Sequence, residues 1–189
     1  YAQWLRGWLH DRGHNKNLVL SGFTLGACVA LQYALDYSDE VSGLLLMTIA
    51  MRPKERARGA LDFRLNAAKD EKVHEEWLDA MRHTMMFIEP DLRERLIECH
   101  RVVGPISQYN DLVTIDRFDV RDSVESLQPP LLLIRGVDDP GSPPEYELEI
   151  HRAVPRSRYL ALRNAGHFPA AEQPKQVNQA IDEFLASLD

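Results

Sequence analysis

One continuous stretch, residues 18–35, limits the folds open to this chain more than any other feature. It reads Leu-Val-Leu-Ser-Gly-Phe-Thr-Leu-Gly-Ala-Cys-Val-Ala-Leu-Gln-Tyr-Ala-Leu. Its apolar start predicts the end of a buried strand over residues 16–21, and its alanine-rich second half predicts a helix over residues 25–37. A Gly-x-Thr-x-Gly turn joins the two without a break, with Thr24 at its tip. Such a turn presents one side chain at the carboxyl end of a parallel strand.

The same alternation of strand and helix continues along the chain. Residues 42–48 form a second apolar run that lacks period-2 alternation, as expected for a parallel strand covered on both faces. A strand, a helix and a parallel strand make a right-handed crossover unit. Further strands are predicted at residues 130–134 and 157–162, and further helices near residues 145–153 and 174–188. The pattern therefore predicts an α/β fold with a parallel sheet.

The character of the chain changes between the second and third predicted strands. Residues 51–115 are rich in charge, with apolar residues at helical spacing such as Leu78, Met81 and Met85, and Pro90 suits the first turn of a helix. We expect several short helices here. The predicted organisation is a core formed by residues 1–50 and 116–189, with residues 51–115 as a helical cap insertion.

Composition excludes several classes of function. The 189 residues carry a net charge of −7 with acidic and basic residues interleaved, so a nucleic-acid partner or a basic membrane-binding patch is not expected. No apolar run approaches the roughly 20 residues that span a bilayer. Cys28 and Cys99 are the only cysteines and form no CxxC or Cys/His cluster. This pattern argues against a disulfide framework or a zinc site and favours a reducing, cytoplasmic location.

Three loops at predicted strand ends hold the side chains that acyl transfer requires. Thr24 follows the first strand, Asp139 follows the third and His167 follows the fourth. Acyl transfer needs a nucleophile, a base within hydrogen-bond reach and a third group that orients the base. Loops at the carboxyl ends of parallel strands meet at one edge of the sheet. The order nucleophile, acid, histidine is the one that α/β-hydrolases use.

The motifs around these residues resemble the α/β-hydrolase superfamily. They are Gly-Phe-Thr-Leu-Gly at 22–26, Pro-Leu-Leu-Leu-Ile-Arg-Gly-Val-Asp-Asp-Pro at 130–140, and Asn-Ala-Gly-His-Phe-Pro at 164–169 with Glu-Gln-Pro at 172–174. The run Phe-Asp-Val-Arg-Asp at 118–122 is most like the group of enol-lactonases, cofactor-free haloperoxidases and carbon–carbon bond hydrolases. The resemblance covers essentially the whole chain and is weakest in the insertion.

The resemblance implies a role for each motif residue. Thr24 takes the nucleophile position, Asp139 is the acid, His167 is the base, and the Leu25 backbone N–H is one oxyanion donor. Asp138 competes with Asp139 for the acid, and Asp139 is preferred because it stands three residues after Gly136. The resemblance implies a small-molecule substrate, with no metal and no cofactor.

The resemblance also implies a substrate pocket beneath the cap. Phe23, Trp77, Met81, Met85 and Met86 are the apolar candidates for its wall. The alternative is that the methionine and tryptophan stripe forms the packed interior of the cap, which is the commoner role for such a stripe.

Thr24 departs from the family pattern, which has a serine. The tip of the turn normally has a positive φ, where a β-branched residue is strained by about 1–3 kcal/mol. The leading hypothesis is a hydrolase of an ester, a lactone or a carbon–carbon bond, with Thr24 or a water activated by His167 as the nucleophile. The alternatives are a small-molecule binder, a cofactor-free oxygenase that uses His167 and Asp139, or an inactive fragment.

A second departure concerns the start of the chain. It opens at Tyr1, inside an apparent amphipathic helix with Trp4, Leu5, Trp8 and Leu9 on its apolar face. The family's other oxyanion donor comes from strands that precede the turn, so we expect this chain to cover the second half of the sheet and to have further sequence upstream. The first strand then has an unpaired apolar edge, which predicts poor solubility, a homo-oligomer or a completing N-terminal segment.

Each motif also has a plain structural interpretation. Thr24 suits an ordinary turn of a doubly wound nucleotide-binding fold, and the two aspartates before Pro140 suit a turn. Cys28 is expected to be a small core residue. The histidines of the charged helices are expected to be solvated; these are His74, His83, His100 and His151.

Overall fold

In the part of the chain that the structure describes, the strands form a four-stranded sheet with the order β1-β2-β3-β4, in which every neighbouring pair is parallel. The computed structural model describes residues 1–54 and 59–188. Parallel neighbours require a crossover between consecutive strands, and helices supply these connections here. The strands are β1 (Leu18–Phe23), β2 (Val41–Met47), β3 (Leu131–Gly136) and β4 (Ser157–Leu162). The predicted α/β fold with a parallel sheet is confirmed.

Helices cover both faces of this sheet because alternate side chains of the central strands point to opposite sides. Leu44, Leu46, Leu131 and Leu133 join the larger core cluster, which includes residues of the first crossover helix. The next residue along each strand joins a second cluster with Val177 and Phe184 of the last helix; these strand residues are Leu45, Met47, Leu132 and Ile134. The core helices are α1 (Ala2–His10), α2 (Leu25–Asp36), α7 (Glu145–Ala153), α8 (Pro169–Glu172) and α9 (Pro174–Leu185).

Four α-helices of the described residues lie between β2 and β3, and we call them the inserted helices. They are α3 (Ala60–Ala67), α4 (Glu71–Thr84), α5 (Pro90–Val103) and α6 (Pro105–Arg117). α4 begins after Asp70, whose carboxylate accepts the N–H groups of Lys72 and Val73, and α5 begins at Pro90, where the missing N–H costs nothing. The division into a core and a cap stays a prediction, and residues 55–58 of the predicted cap lie outside the described residues.

The inserted helices have a hydrophobic cluster of their own, separate from the two clusters on the sheet. Its buried part consists of Trp77 and Leu78 of α4, Met85 and Ile88 of the connection after α4, and Ile97 of α5. Phe168 and Ala171 pack against it from the segment around α8. This contact places the inserted helices over the carboxyl ends of the strands, beside the loop that carries His167.

The first helix differs in part from the sequence prediction. Leu5 and Leu9 pack against the core, but Trp4 is 68% exposed and Trp8 is 41% exposed, so the tryptophans do not share the buried face. Within residues 1–54 and 59–188, no helix combines the length and the apolar character that crossing a membrane requires.

Candidate active site

The turn at Thr24 has the strained backbone that the sequence predicts. Thr24 lies between β1 and α2 with φ 47° and ψ −109°, and its N–H donates to the Met47 carbonyl at 3.1 Å. A Cβ on Gly22 would overlap the backbone of Gly26 and Ala27. The strand and the helix therefore approach so closely that only glycine fits at position 22, and this approach forces the sharp turn.

Leu25 is the first residue of α2 and lines the cavity described below. Its N–H has no intrahelical acceptor, because the first N–H groups of a helix lack one. A backbone N–H at this position, supported by the positive end of the helix dipole, is suited to bind a developing oxyanion.

His167 and Asp139 form a hydrogen bond between the ring Nδ1 and the carboxylate Oδ2, at 2.8 Å. The other carboxylate oxygen of Asp139 accepts the Gly141 N–H at 2.8 Å. Burial tends to raise the pKa of Asp139, but the hydrogen bond and charge of His167 outweigh it, with help from the Gly141 N–H, and the pKa lies below its usual value. Asp139 is thus held as a carboxylate beside the imidazole.

Asp138 points to a different partner, since its carboxylate accepts the Asn164 N–H at 3.0 Å. Asp139 is therefore the aspartate that meets His167, and Asp138 braces the loop that carries the histidine. A Cβ on Gly136 would overlap the carbonyls of Ala165 and Gly166, so this glycine lets the loop pass close over the end of β3.

The imidazole of His167 meets two aromatic rings edge-on, and these two rings also contact each other. Its centroid lies 5.4 Å from Phe23 and 5.2 Å from Phe168. With Nδ1 turned to Asp139, the second ring nitrogen is the one available to a substrate. Among the described residues, no hydrogen bond joins the Thr24 hydroxyl to this ring, although both side chains line the same cavity. Such bonds commonly tighten only when a substrate is bound.

The cavity has a volume of about 540 Å³, a size that suits a small organic ligand. Its apolar wall comes from β1, the inserted helices and the His167 loop. Three of the predicted pocket residues contribute to it: Phe23, Trp77 and Met81. The further apolar residues in its lining are Leu25, Ala80, Val103, Leu112, Ile115 and Phe168.

Two predicted pocket residues lie elsewhere. Met85 is fully buried within the cluster of the inserted helices, and Met86 is 57% exposed on the surface. The helical spacing that groups Met85 with Met81 ends at Thr84, where α4 ends, so the side chain of Met85 no longer follows the face that meets the cavity.

Several polar residues of the cavity wall are absent from the sequence prediction. They are Lys54, Arg64, His100, Gln108 and Asp111. The Arg64 guanidinium lies 4.2 Å from the centroid of Trp77, and His100 meets the same ring edge-on.

The expectation that His74 and His100 are solvated is wrong. His74 is 6% exposed and stacks on Trp77. Burial lowers the pKa of His100, and the charges of Arg64 and His167 lower it further. The apolar residues Leu96 and Ile97, four and three residues before His100, are the sequence signal that this face of α5 turns inward. His83 is exposed, and Cys28 is a buried core residue, as predicted.

Comparisons with known proteins agree with this architecture. The family described as alpha/beta hydrolase fold matches residues 1–174. A thermophilic esterase from Thermogutta terrifontis is similar in structure with a TM-score of 0.80 and 29% identity, over 99% of this chain and 71% of that one. The enol-lactonase from Burkholderia xenovorans LB400 gives a TM-score of 0.81 with 20% identity, over 98% of this chain and 71% of that one.

Among curated proteins, the AB hydrolase superfamily protein YisY of Bacillus subtilis (strain 168) is 20% identical over 181 residues, covering 91% of this chain and 68% of the relative. The chain therefore spans 68 to 71% of the length of these three proteins.

Proposed function

Because the chain belongs to the α/β hydrolase fold family, we propose that it hydrolyses an ester, a lactone or a carbon–carbon bond of a small organic substrate. The observation that carries this proposal is the 2.8 Å hydrogen bond from His167 to Asp139, at the wall of a cavity that Thr24 and Leu25 also line. An oriented base, a hydroxyl and a free helix N–H in one cavity are the parts that acyl transfer needs.

For an ester, the reaction runs in two steps. The Thr24 oxygen attacks the carbonyl carbon while the free ring nitrogen of His167 takes the hydroxyl proton, and the Leu25 N–H stabilises the oxyanion. His167 gives that proton to the leaving alcohol, which departs and leaves an acyl group on Thr24. Water then attacks the acyl carbon, His167 takes its proton and returns it to the Thr24 oxygen, and the acid is released.

A second candidate is a non-hydrolytic protein that binds a small molecule or uses the His167–Asp139 pair in a cofactor-free oxygenation. One observation favours it: the β-branched Thr24 occupies a strained turn. A threonine also carries a methyl group that serine lacks, which would hinder attack by its hydroxyl on a carbonyl. Cys28 and Cys99 are free thiols, which are typical of a reducing compartment. They support a cytoplasmic location for either candidate.

Hydrolysis of 4-nitrophenyl butyrate by the native chain and four variants tests the proposal. We expect slow turnover with Thr24, a gain of about tenfold or more in Thr24→Ser, where the methyl group is gone, and a loss of about a thousandfold in His167→Ala. Thr24→Val is the matched control, because it keeps the shape of threonine without the hydroxyl. His83→Ala, an exposed histidine, controls for the loss of an imidazole.

The outcomes separate the candidates. No turnover in the native chain together with strong turnover in Thr24→Ser supports the non-hydrolytic candidate and overturns the proposal. Native turnover that survives in Thr24→Val and disappears in His167→Ala assigns the attack to a water activated by His167. Native turnover that is lost in both variants assigns it to the Thr24 hydroxyl.

A further inference from the structure

The loop that carries His167 has its backbone bonded to side chains from several elements. The Asn164 carbonyl accepts from the Gln173 side chain at 2.8 Å, and the His167 carbonyl accepts from the Thr48 hydroxyl at 3.2 Å. Thr48 follows β2 with φ 53° and is 2% exposed, so a strained residue is held beside the base. A loop without regular structure needs such partners when its polar groups are buried.

Glu172 bonds the backbone of the two residues that flank His167. One carboxylate oxygen accepts both the Gly166 N–H at 2.6 Å and the Phe168 N–H at 3.2 Å. These two residues flank His167 in the chain. The carboxylate of Glu172 therefore fixes the backbone on each side of His167. The His167 side chain is itself hydrogen-bonded to Asp139.

The burial of the Glu172 carboxylate costs free energy of folding. Glu172 is 7% exposed, and its second oxygen is buried with no hydrogen-bond partner among the described residues. Burial raises the pKa of Glu172, while the Gly166 and Phe168 N–H groups act in the opposite direction. A buried, half-satisfied carboxylate needs a reason to be present, and its two bonds around the base provide one.

We propose that Glu172 is a positioning residue. By fixing the backbone on both sides of His167, it keeps the imidazole at hydrogen-bond distance from Asp139. This inference rests on the proposed function for its consequence in catalysis, but the geometry itself is testable without turnover. A displacement of a catalytic group by about 1 Å can cost about a hundredfold in rate, so a small shift of this loop has a large effect.

The test compares Glu172→Leu with Glu172→Gln. Leucine has a similar volume and no acceptor, whereas the glutamine carbonyl can accept the same two N–H groups. The activity-independent readout is the low-field NMR resonance of the Nδ1 proton that His167 donates to Asp139. We expect this resonance to broaden or vanish in Glu172→Leu and to persist in Glu172→Gln. We also expect kcat to fall about 10- to 100-fold in Glu172→Leu with little change in KM, and to recover in Glu172→Gln.

Gln173→Leu is the matched control, since it removes a hydrogen bond to the same loop at Asn164, away from the imidazole. It should leave the resonance and kcat close to those of the native chain. Equal effects of Gln173→Leu and Glu172→Leu would overturn the inference, because loop stability alone would then explain both. An unchanged resonance in Glu172→Leu would also overturn it.

Two further results keep the outcome clear. If Glu172→Leu does not fold, Glu172→Asp replaces it: its carboxylate is one methylene shorter, and a native resonance and kcat in that variant overturn the inference. If the native chain shows no turnover while Thr24→Ser is strongly active, the proposed function fails, but the NMR comparison still decides the role of Glu172. If the native chain is active and the Nδ1 proton resonance is the same in the native chain and in Glu172→Leu, this inference fails while the proposed function stands.

Discussion

Thr24 holds a β-branched side chain at a φ of 47°, a backbone region in which such residues are outliers. The cost of this conformation is about 1–3 kcal/mol. It is maintained because Gly22 brings β1 against α2 and because the Thr24 N–H is bonded to Met47 at the end of β2. The packing of the surrounding fold thus holds Thr24, the nucleophile of the proposed mechanism, in a strained backbone conformation.

Replacing Thr24 by glycine should therefore stabilise the protein. We expect Thr24→Gly to raise the free energy of unfolding in urea by about 1 kcal/mol, since glycine adopts positive φ without penalty. Thr114→Gly is the control, because Thr114 lies inside α6 and glycine weakens a helix interior. Equal losses of stability in both variants would show that the turn at Thr24 carries no strain.

A second residue-scale effect comes from the buried pair Arg135 and Glu147, whose side chains are 4% and 0% exposed and meet at 3.5 Å. Burial raises the pKa of Glu147 from 4.5 to about 7, although the charge of Arg135 acts in the opposite direction. The folded state therefore binds the proton more tightly than the unfolded chain. This contribution to stability is fully present below pH 4.5 and is lost as the pH rises through about 7.

The predicted consequence is a pH slope that depends on Glu147. Between about pH 5 and pH 8, this carboxyl should remove on the order of 2 kcal/mol from the free energy of unfolding of the native chain. Glu147→Gln cannot titrate and should lack this part of the slope. Urea denaturation at a series of pH values measures it, and parallel curves for the two chains would contradict the prediction.

At the scale of elements, the two glycines of the turn motif have different roles. A Cβ on Gly22 would overlap the backbone of α2, whereas a Cβ on Gly26 would meet nothing within 4 Å. Gly22 therefore sets the distance between β1 and α2. Gly26 is the second residue of α2, where alanine is the better helix former.

Substitution by alanine should separate these roles. Gly22→Ala should cost about 3 kcal/mol or prevent folding, because two backbone segments have to move apart. Gly26→Ala should be neutral or stabilising by up to about 1 kcal/mol. Thermal unfolding followed by circular dichroism compares the two, and similar losses in both would show that the close approach at Gly22 does not control the packing.

At the scale of the whole molecule, the sheet is unevenly protected. β1 has a strand neighbour on one side only among the described residues, and Val19 of that strand is 38% exposed. Central strand β3 is buried along its whole length. An exposed apolar strand edge is a template for pairing with another strand. The sequence-based prediction of self-association therefore remains open to test.

We expect sedimentation velocity to show association of the 189-residue chain that increases with concentration. Val19→Lys should reduce it, because charge on an edge strand opposes pairing. Val137→Lys is the matched control: Val137 is 49% exposed but lies in the loop after β3, so the same change of charge there should have little effect. A native chain that stays monomeric across the series would contradict the prediction.

The sequence by itself determined the parallel sheet, the turn at Thr24 and the order of the three loops. The residues assigned to α7 and β4 agree with the structure without correction. Hydrophobic periodicity and turn-forming residues act over about ten residues, so the local sequence is enough to predict these features. Positive φ at Thr24 was predictable for the same reason.

Only the tertiary structure decided which distant groups meet. The family resemblance implies the pairing of His167 with Asp139, 28 residues away, but nothing in the sequence indicates the contact of Thr48 with His167, 119 residues away. Met85 lies outside the cavity because α4 ends at Thr84. His100 lines the cavity because α5 packs against α4, where the His100 ring meets Trp77 edge-on. Such contacts depend on how helices and loops pack around the strands, and the hydrophobic periodicity of a single element does not indicate that packing. The contacts of Glu172 with Gly166 and Phe168 depend on the same packing.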